Sequence, residues 1–176
     1  MSREEEPICD LLGLLLSNRR PTGAVNEVWP GLYIGDAATA RDKPLLANLG
    51  ITHLVNAADG PRHIDTGPCF YVDTDVTYHG VEAADRKDFD LSPFFSPTAE
   101  FIQNALLQKG KVLVHCARGI SRSASLVLAF LMIKQQLTLV EAIQAVRRHR
   151  NILPNAGFLS QLCHLDTSLA LERTGK

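Results

Sequence analysis

The sequence is poor in the features that mark membrane, secreted and lipid-anchored proteins. No apolar run in its 176 residues is as long as a membrane-spanning helix, and the N-terminus is acidic where a secretory signal would be basic. Myristoylation, prenylation and retention motifs are also absent. The sequence therefore predicts a protein that does not associate with a membrane.

Cysteine is scarce, and its four copies are widely separated: Cys9, Cys69, Cys116 and Cys163. The absence of a Cys-x2-Cys pair argues against a structural zinc site. The absence of a secretory signal argues against a disulfide framework. We therefore expect no metal and no organic cofactor. We also expect a reducing location in the cytoplasm and also in the nucleus.

Charge is nearly balanced over the whole chain but not along it. The net charge is −1, yet residues 1–110 carry nine Lys or Arg against sixteen Asp or Glu, whereas residues 111–150 carry seven Lys or Arg and one acid, Glu141. Part of this positive charge falls at Arg147 and Arg148, where it could simply favour a helix C-terminus. Because the basic residues are not interleaved with exposed aromatic residues, we expect no binding to nucleic acid.

Predicted strands alternate with predicted helices along the chain. Residues 5–17 have a helix-compatible apolar face, which predicts an N-terminal helical extension over residues 1–25 and a main domain over residues 26–176. The predicted strands are 32–34, 51–55, 70–72, 76–81 and 111–114. Capping residues predict helix starts at Asp36, Asp42, Ser96-Pro97, Thr138 and Asn155, and a further helix covers residues 123–133. This order predicts an α/β fold: a single domain with a central, mostly parallel sheet of about five strands flanked by helices.

Residues 115–123 have the features of an anion-binding loop. An apolar, β-branched strand precedes them, and a helix that is apolar on nearly every face follows. A loop this short, closing into a helix N-terminus, directs successive backbone N–H groups at one centre, and the helix dipole adds partial positive charge. The predicted phosphate-binding residues are Ala117, Arg118, Gly119, Ile120, Ser121 and Arg122. The site is expected at the carboxyl end of the 111–114 strand.

Within this loop Cys116 is the predicted nucleophile, because helix N-termini and nearby cations favour the reactive thiolate. The planar guanidinium of Arg122 would bind two phosphoryl oxygens. Ser123 would hydrogen-bond to the sulfur, and His115 would fix the loop rather than act as a base. The alternative is that Cys116 is a small core residue, as buried cysteines usually are.

Phosphoryl transfer to sulfur also requires an acid that protonates the departing oxygen. The polar segment 84–92 offers Asp85, Asp88 and Asp90. Spacing alone does not choose among these three carboxylates.

The run from His115 to Ser123 resembles the His-Cys-x5-Arg-Ser signature of the cysteine-dependent protein tyrosine phosphatases. The run from Tyr78 to Ser92 resembles the general-acid loop of the dual-specificity phosphatases, in which the acid matches Asp85. Similarity to small, atypical members of that group extends over residues 26–169. This resemblance implies a protein tyrosine phosphatase-like fold and hydrolysis of phosphotyrosine, phosphoserine and phosphothreonine in proteins through a phosphocysteine intermediate. It also implies phosphorylated protein substrates, with protein kinases among the candidates, and a monomer or weak homodimer.

The resemblance bears on three further residues. Asn155 belongs to a Pro-Asn-x-Gly-Phe-Leu run that is similar in relatives, and Arg150 is expected near the pocket, where it would meet a second phosphate. Arg118 departs from the family pattern, since many relatives have an apolar or acidic residue there. The Arg118 side chain would either favour multiply phosphorylated or acidic substrates through its charge, or simply point into solvent.

Two other functions remain alternatives. The first is a phospho-binding module that has lost catalysis, although Cys116, Arg122 and Asp85 are all present. The second is a phosphatase with the same chemistry that acts on phosphoinositides or RNA 5′-phosphates. Arg118 is the only residue that favours it, and the lysine-rich loops of the lipid enzymes are missing.

Overall fold

The computed structural model describes residues 5–19 and 21–174. Residues 1–4 and Arg20 of the predicted N-terminal extension lie outside the described residues. Within the described ranges, no helix has both the length and the apolar character needed to cross a bilayer.

A five-stranded sheet forms the centre of the domain. Its strands are β1 (Val25–Trp29), β2 (Leu32–Gly35), β3 (His53–Asn56), β4 (Thr77–Gly80) and β5 (Val112–His115). They lie in the order β1-β2-β5-β3-β4, with β1 antiparallel to β2 and every other neighbouring pair parallel. The prediction of a mostly parallel sheet of about five strands flanked by helices is confirmed.

In the part of the chain that the structure describes, seven α-helices surround this sheet: α1 (Glu5–Leu16), α2 (Ala37–Arg41), α3 (Lys43–Leu49), α4 (Phe95–Leu107), α5 (Arg122–Lys134), α6 (Leu139–Arg147) and α7 (Ala156–Thr174). Side chains alternate between the two faces of a strand. Val112 and Val114 of β5 therefore join the large core formed with α4 to α7, whereas Leu113 joins a smaller core beneath α2 and α3. Helix α5 packs against α4, α6 and α7 and is buried along almost its whole length.

Local capping signals produced the helix starts where the sequence placed them. Asp36 and Asp42 each accept a hydrogen bond from the backbone three residues ahead, and Gly50 ends α3 in the left-handed conformation at φ +77°. Thr138 and Glu141 form the predicted capping box of α6.

The N-terminal helix α1 packs on the rest of the domain. Leu11 and Leu15 are buried against α6 and α7, and the Arg147 Nε donates to the Leu15 carbonyl at 3.1 Å. The helix predicted over residues 5–17 is therefore present, and it caps the core.

One predicted strand and the predicted start of one helix are wrong. Residues 70–72 are not a strand, because Pro68–Tyr71 form a 3₁₀ helix that buries Tyr71 and lets its hydroxyl donate to the Ala40 carbonyl at 2.6 Å. Helix α4 does not begin at Ser96-Pro97 but at Phe95, directly after a 3₁₀ turn. Pro97 is tolerated there because the first N–H groups of a helix have no intrahelical partner.

Strand β1 was not predicted. It is an edge strand with a mixed sequence, Val-Asn-Glu-Val-Trp, in which only Val28 is buried. Such a strand shows no strict alternation of apolar and polar residues, so its own sequence does not predict it. The strand forms because it pairs with β2.

Candidate active site

The loop from Cys116 to Ser121 joins β5 to α5 at the carboxyl end of the sheet, as predicted. Gly119 allows the loop to turn, because its φ is +70°, a conformation that side-chain-bearing residues rarely adopt. A Cβ at this position would also lie 2.6 Å from the Gly35 carbonyl oxygen. The loop can therefore close only with glycine at residue 119.

All five carbonyl groups from Ala117 to Ser121 are hydrogen-bonded to neighbouring elements. Their donors, in chain order, are Ala37 N, Arg150 Nη2, Arg150 Nε, Leu153 N and the N–H and hydroxyl of Ser125. Because these carbonyls are engaged outside the loop, its N–H groups are free to face the centre, as an anion-binding loop requires.

Cys116 lies at the base of this loop and is only 3% exposed. Its Sγ lies 3.3 Å from the Ser123 hydroxyl and accepts a hydrogen bond from Gly119 N, also at 3.3 Å. Burial alone would raise the pKa of the thiol, but hydrogen bonds from Ser123 and Gly119 and the charge of Arg122 outweigh it. The pKa of Cys116 therefore lies below that of an ordinary cysteine, which favours the thiolate.

Arg122 is the first residue of α5 and is 8% exposed. Its Nη1 donates to the Ala83 carbonyl at 2.9 Å, which fixes the guanidinium beside the loop. Its buried Nε has no hydrogen-bond partner among the described residues. A buried donor of this kind favours an anionic acceptor in the loop.

His115 is fully buried beneath the loop. Its Nδ1 lies 3.2 Å from the Cys116 carbonyl, which can only accept, so Nδ1 carries the proton. Burial lowers the pKa of His115 to about 4. The imidazole is therefore neutral near pH 7 and holds the loop by hydrogen bonding.

Arg150 lies beneath the loop rather than on its rim. It is 4% exposed, and it donates to the carbonyls of Gly119 and Arg118 at 2.9 and 3.1 Å. It also donates to the Gly23 carbonyl at 2.8 Å and to the Asn26 side chain at 2.7 Å. This position corrects the expectation of a second-phosphate contact, because four hydrogen bonds already hold the guanidinium within the protein.

The three candidate acids lie in different surroundings. Asp88 forms a bidentate ion pair with Arg86, and Asp90 accepts hydrogen bonds from the N–H and hydroxyl of Ser92. Asp85 is exposed and accepts a hydrogen bond from Asn155 Nδ2 at 2.9 Å. Of the three, the structure places Asp85 in the wall of the cavity that also contains Cys116.

That cavity has a volume of about 430 Å³, and its wall includes Arg118, Arg122 and Asn155. Arg118 is exposed at the rim. Asn155 also connects α7 to the loop, because its N–H donates to the Ser121 hydroxyl at 3.0 Å while its side-chain oxygen caps α7 at Phe158 N. The structure thus brings the loop residues, Asp85 and Asn155 together around one cavity.

Two groups at this site were not predicted from the sequence. Leu12 of α1 forms part of the cavity wall, and the Ala83 carbonyl positions Arg122. Neither has a local signal, since a leucine on an apolar helix face and a backbone carbonyl reveal nothing until the fold is known. No cluster of three or more metal-ligating side chains occurs within residues 5–19 and 21–174.

The chain is similar to known phosphatases. The family model of the dual specificity phosphatase catalytic domain matches residues 32–168. Human dual specificity protein phosphatase 13B is 58% identical over 153 residues, which are 86% of this chain and 77% of that protein.

Solved structures show the same likeness. The crystal structure of a mouse putative dual specificity phosphatase complexed with zinc tungstate has a TM-score of 0.74 and 31% identity, and covers 90% of this chain and 96% of its own. Human DUSP28 has a TM-score of 0.73 and 31% identity, and covers 85% of this chain and 97% of its own.

Proposed function

This chain belongs to the dual specificity phosphatase family and is a protein phosphatase, and we propose that Cys116 carries out the reaction through a phosphocysteine intermediate. The observation that carries this proposal is the surroundings of Cys116. The Cys116 sulfur is buried and its pKa is lowered, and the carbonyls of its loop are hydrogen-bonded to groups outside the loop. Beside it, the buried Nε of Arg122 has no hydrogen-bond partner among the described residues.

In the first step the Cys116 thiolate attacks phosphorus. The S–P bond forms as the P–O bond to the substrate breaks, and Asp85 gives its proton to the departing oxygen. The guanidinium of Arg122 and the loop N–H groups of residues 117–122 hold the three other phosphoryl oxygens. These donors are in place before the reaction, so they stabilise the transition state without rearranging.

In the second step water attacks the phosphocysteine. Asp85, now a carboxylate, accepts the proton from water, the S–P bond breaks, and inorganic phosphate leaves. The Ser123 hydroxyl, 3.3 Å from Sγ, stabilises the departing thiolate by donating a hydrogen bond to it.

The family assignment implies phosphoprotein substrates. We extend this to phosphotyrosine, phosphoserine and phosphothreonine, with protein kinases among the substrates, and to a monomeric or weakly dimeric enzyme. A thiolate nucleophile needs a reducing compartment, which supports a location in the cytoplasm and also in the nucleus.

Pre-steady-state hydrolysis of 4-nitrophenyl phosphate tests the proposed nucleophile. Wild type should release a burst of nitrophenol equal to the enzyme concentration, and rapid acid quenching should trap a phosphorylated peptide that contains Cys116. Cys116→Ser should abolish both signals, whereas Cys163→Ser, which alters a half-buried cysteine of α7, should retain both. Full turnover by Cys116→Ser would refute the proposal.

Substrates can be captured with Asp85→Ala, which leaves the phosphate loop intact. Phosphoproteins should remain bound to this variant and be released by vanadate. The control is the double variant Cys116→Ser/Arg122→Met, and recovery of the same amount of phosphoprotein with it would show that capture does not use the site.

A further inference from the structure

The general acid must be held at a fixed place relative to Cys116, because proton transfer requires close approach. We call residues 84–91 the acid loop. Most of its polar contacts are local: Arg86 pairs with Asp88, Arg86 N donates to the Ala84 carbonyl, and Phe89 N donates to the Arg86 carbonyl. Such contacts shape the loop but do not fix it relative to the phosphate site.

Helix α7 supplies the longer-range contacts. The side-chain amide of Gln161 accepts from Leu91 N at 2.8 Å and donates to the Phe89 carbonyl at 2.8 Å. One side chain thus satisfies both a donor and an acceptor of the acid-loop backbone. Gln161 is half-buried and is not a residue of the cavity wall, so it does not meet substrate.

One turn earlier on the same face, Gly157 lies directly beneath the acid loop. A Cβ at residue 157 would overlap the Lys87 carbonyl oxygen. The backbone of the loop can therefore rest on α7 only because this position has no side chain. Asn155, which caps α7, bonds Asp85 at one end of the acid loop, Gly157 lies against its middle, and Gln161 bonds its other end.

We propose that Gln161 is a positioning residue for the general acid: its amide fixes the acid loop on α7, and Gly157 sets the distance between them. The inference rests on the proposed role of Asp85. Its consequence is selective in kcat/KM, which reports the steps up to formation of the phosphocysteine, because a displaced acid slows that step only for substrates whose leaving group needs a proton.

The test compares phenyl phosphate, whose leaving group is poor, with 4-nitrophenyl phosphate, whose leaving group departs readily without a proton. Gln161→Met keeps the length of the side chain and removes both hydrogen bonds. It should lower kcat/KM for phenyl phosphate by about tenfold to a hundredfold, as expected for a misplaced catalytic group, and change kcat/KM for 4-nitrophenyl phosphate by less than about twofold. The affinity for vanadate should be unchanged, since the phosphate loop is untouched.

Two further variants sharpen the comparison. Gln144→Met alters an exposed glutamine of α6 and should behave as wild type on both substrates. Gly157→Ala displaces the loop without removing a bond of Gln161 and should reproduce the selective loss, although alanine is otherwise preferred over glycine within a helix.

The same measurements in an Asp85→Asn background decide the outcome. If Gln161 acts through Asp85, adding Gln161→Met to Asp85→Asn should cause no further loss. An equal loss of kcat/KM on both substrates, or a loss that multiplies with that of Asp85→Asn, would overturn the inference. If Asp85→Asn itself lowers kcat/KM equally for both substrates, the proposed acid is wrong. If Asp85→Asn shows the selective loss and Gln161→Met does not, the acid stands and only the role of Gln161 is wrong.

Discussion

Acidification should destabilise this fold through His115. In the folded protein burial lowers the pKa of His115 to about 4, whereas the unfolded chain has the ordinary value near 6.5. As pH falls through 6.5 the unfolded state binds a proton that the folded state does not, so the free energy of unfolding decreases. The decrease ends near pH 4, where the folded state is protonated as well.

These two values set the size of the effect. Lowering the pH from about 8 to about 5 should reduce the free energy of unfolding by about 2 kcal/mol through this residue, and the full difference would reach about 3 kcal/mol. The reduction is large enough to measure, since whole domains are stable by only about 5–15 kcal/mol.

Urea denaturation at both pH values, in a Cys116→Ser background, measures this contribution. The background removes the titration of Cys116, whose lowered pKa also makes stability fall on acidification. His115→Asn can keep the hydrogen bond to the Cys116 carbonyl but has no titrating group, so its pH-dependent loss of stability should be smaller by about 2 kcal/mol. Equal losses in the two proteins would refute a neutral, buried imidazole.

Three further predictions concern the phosphate loop. Arg150→Met removes four hydrogen bonds and should lower the free energy of unfolding, measured by urea denaturation, by about 4 kcal/mol. The exposed Arg62→Met is the control. Unchanged stability with weaker binding of doubly phosphorylated peptides would instead favour a second-phosphate role. Arg118→Ala should raise KM for doubly phosphorylated peptides by about two- to fivefold and leave KM for singly phosphorylated ones unchanged, and no change for either would show that Arg118 points into solvent. Gly119→Ala should lower kcat/KM by at least about tenfold and weaken vanadate binding, because its Cβ would meet the Gly35 carbonyl; wild-type kinetics would contradict that steric argument.

Features encoded by neighbouring residues could be read from the sequence. The caps at Asp36, Asp42 and Thr138 each use a backbone group only three residues away, so their signals are complete within one short segment. The phosphate loop is equally local, because Cys116, Gly119 and Ser123 lie within one strand–loop–helix unit.

Features set by distant contacts could not be read in the same way. The hydrogen bonds of Arg150 reach residues 31 and 127 positions away, so its place beneath the loop depends on the whole fold. The sequence predicts a strand over residues 70–72, but burial in the smaller core and the hydrogen bond to the Ala40 carbonyl set the conformation of Tyr71. Leu12 lines the cavity, and Gln161 contacts the acid loop, only because α1 and α7 pack beside the site.

The pH dependence of alkylation by iodoacetate tests most directly whether Cys116 is held as a thiolate. With mass spectrometry to identify the modified site, Cys116 should react faster than free glutathione at about pH 6 and be protected by vanadate, while the exposed Cys9 and Cys69 serve as internal references. A reaction at Cys116 no faster than that of glutathione, and unaffected by vanadate, would contradict the account.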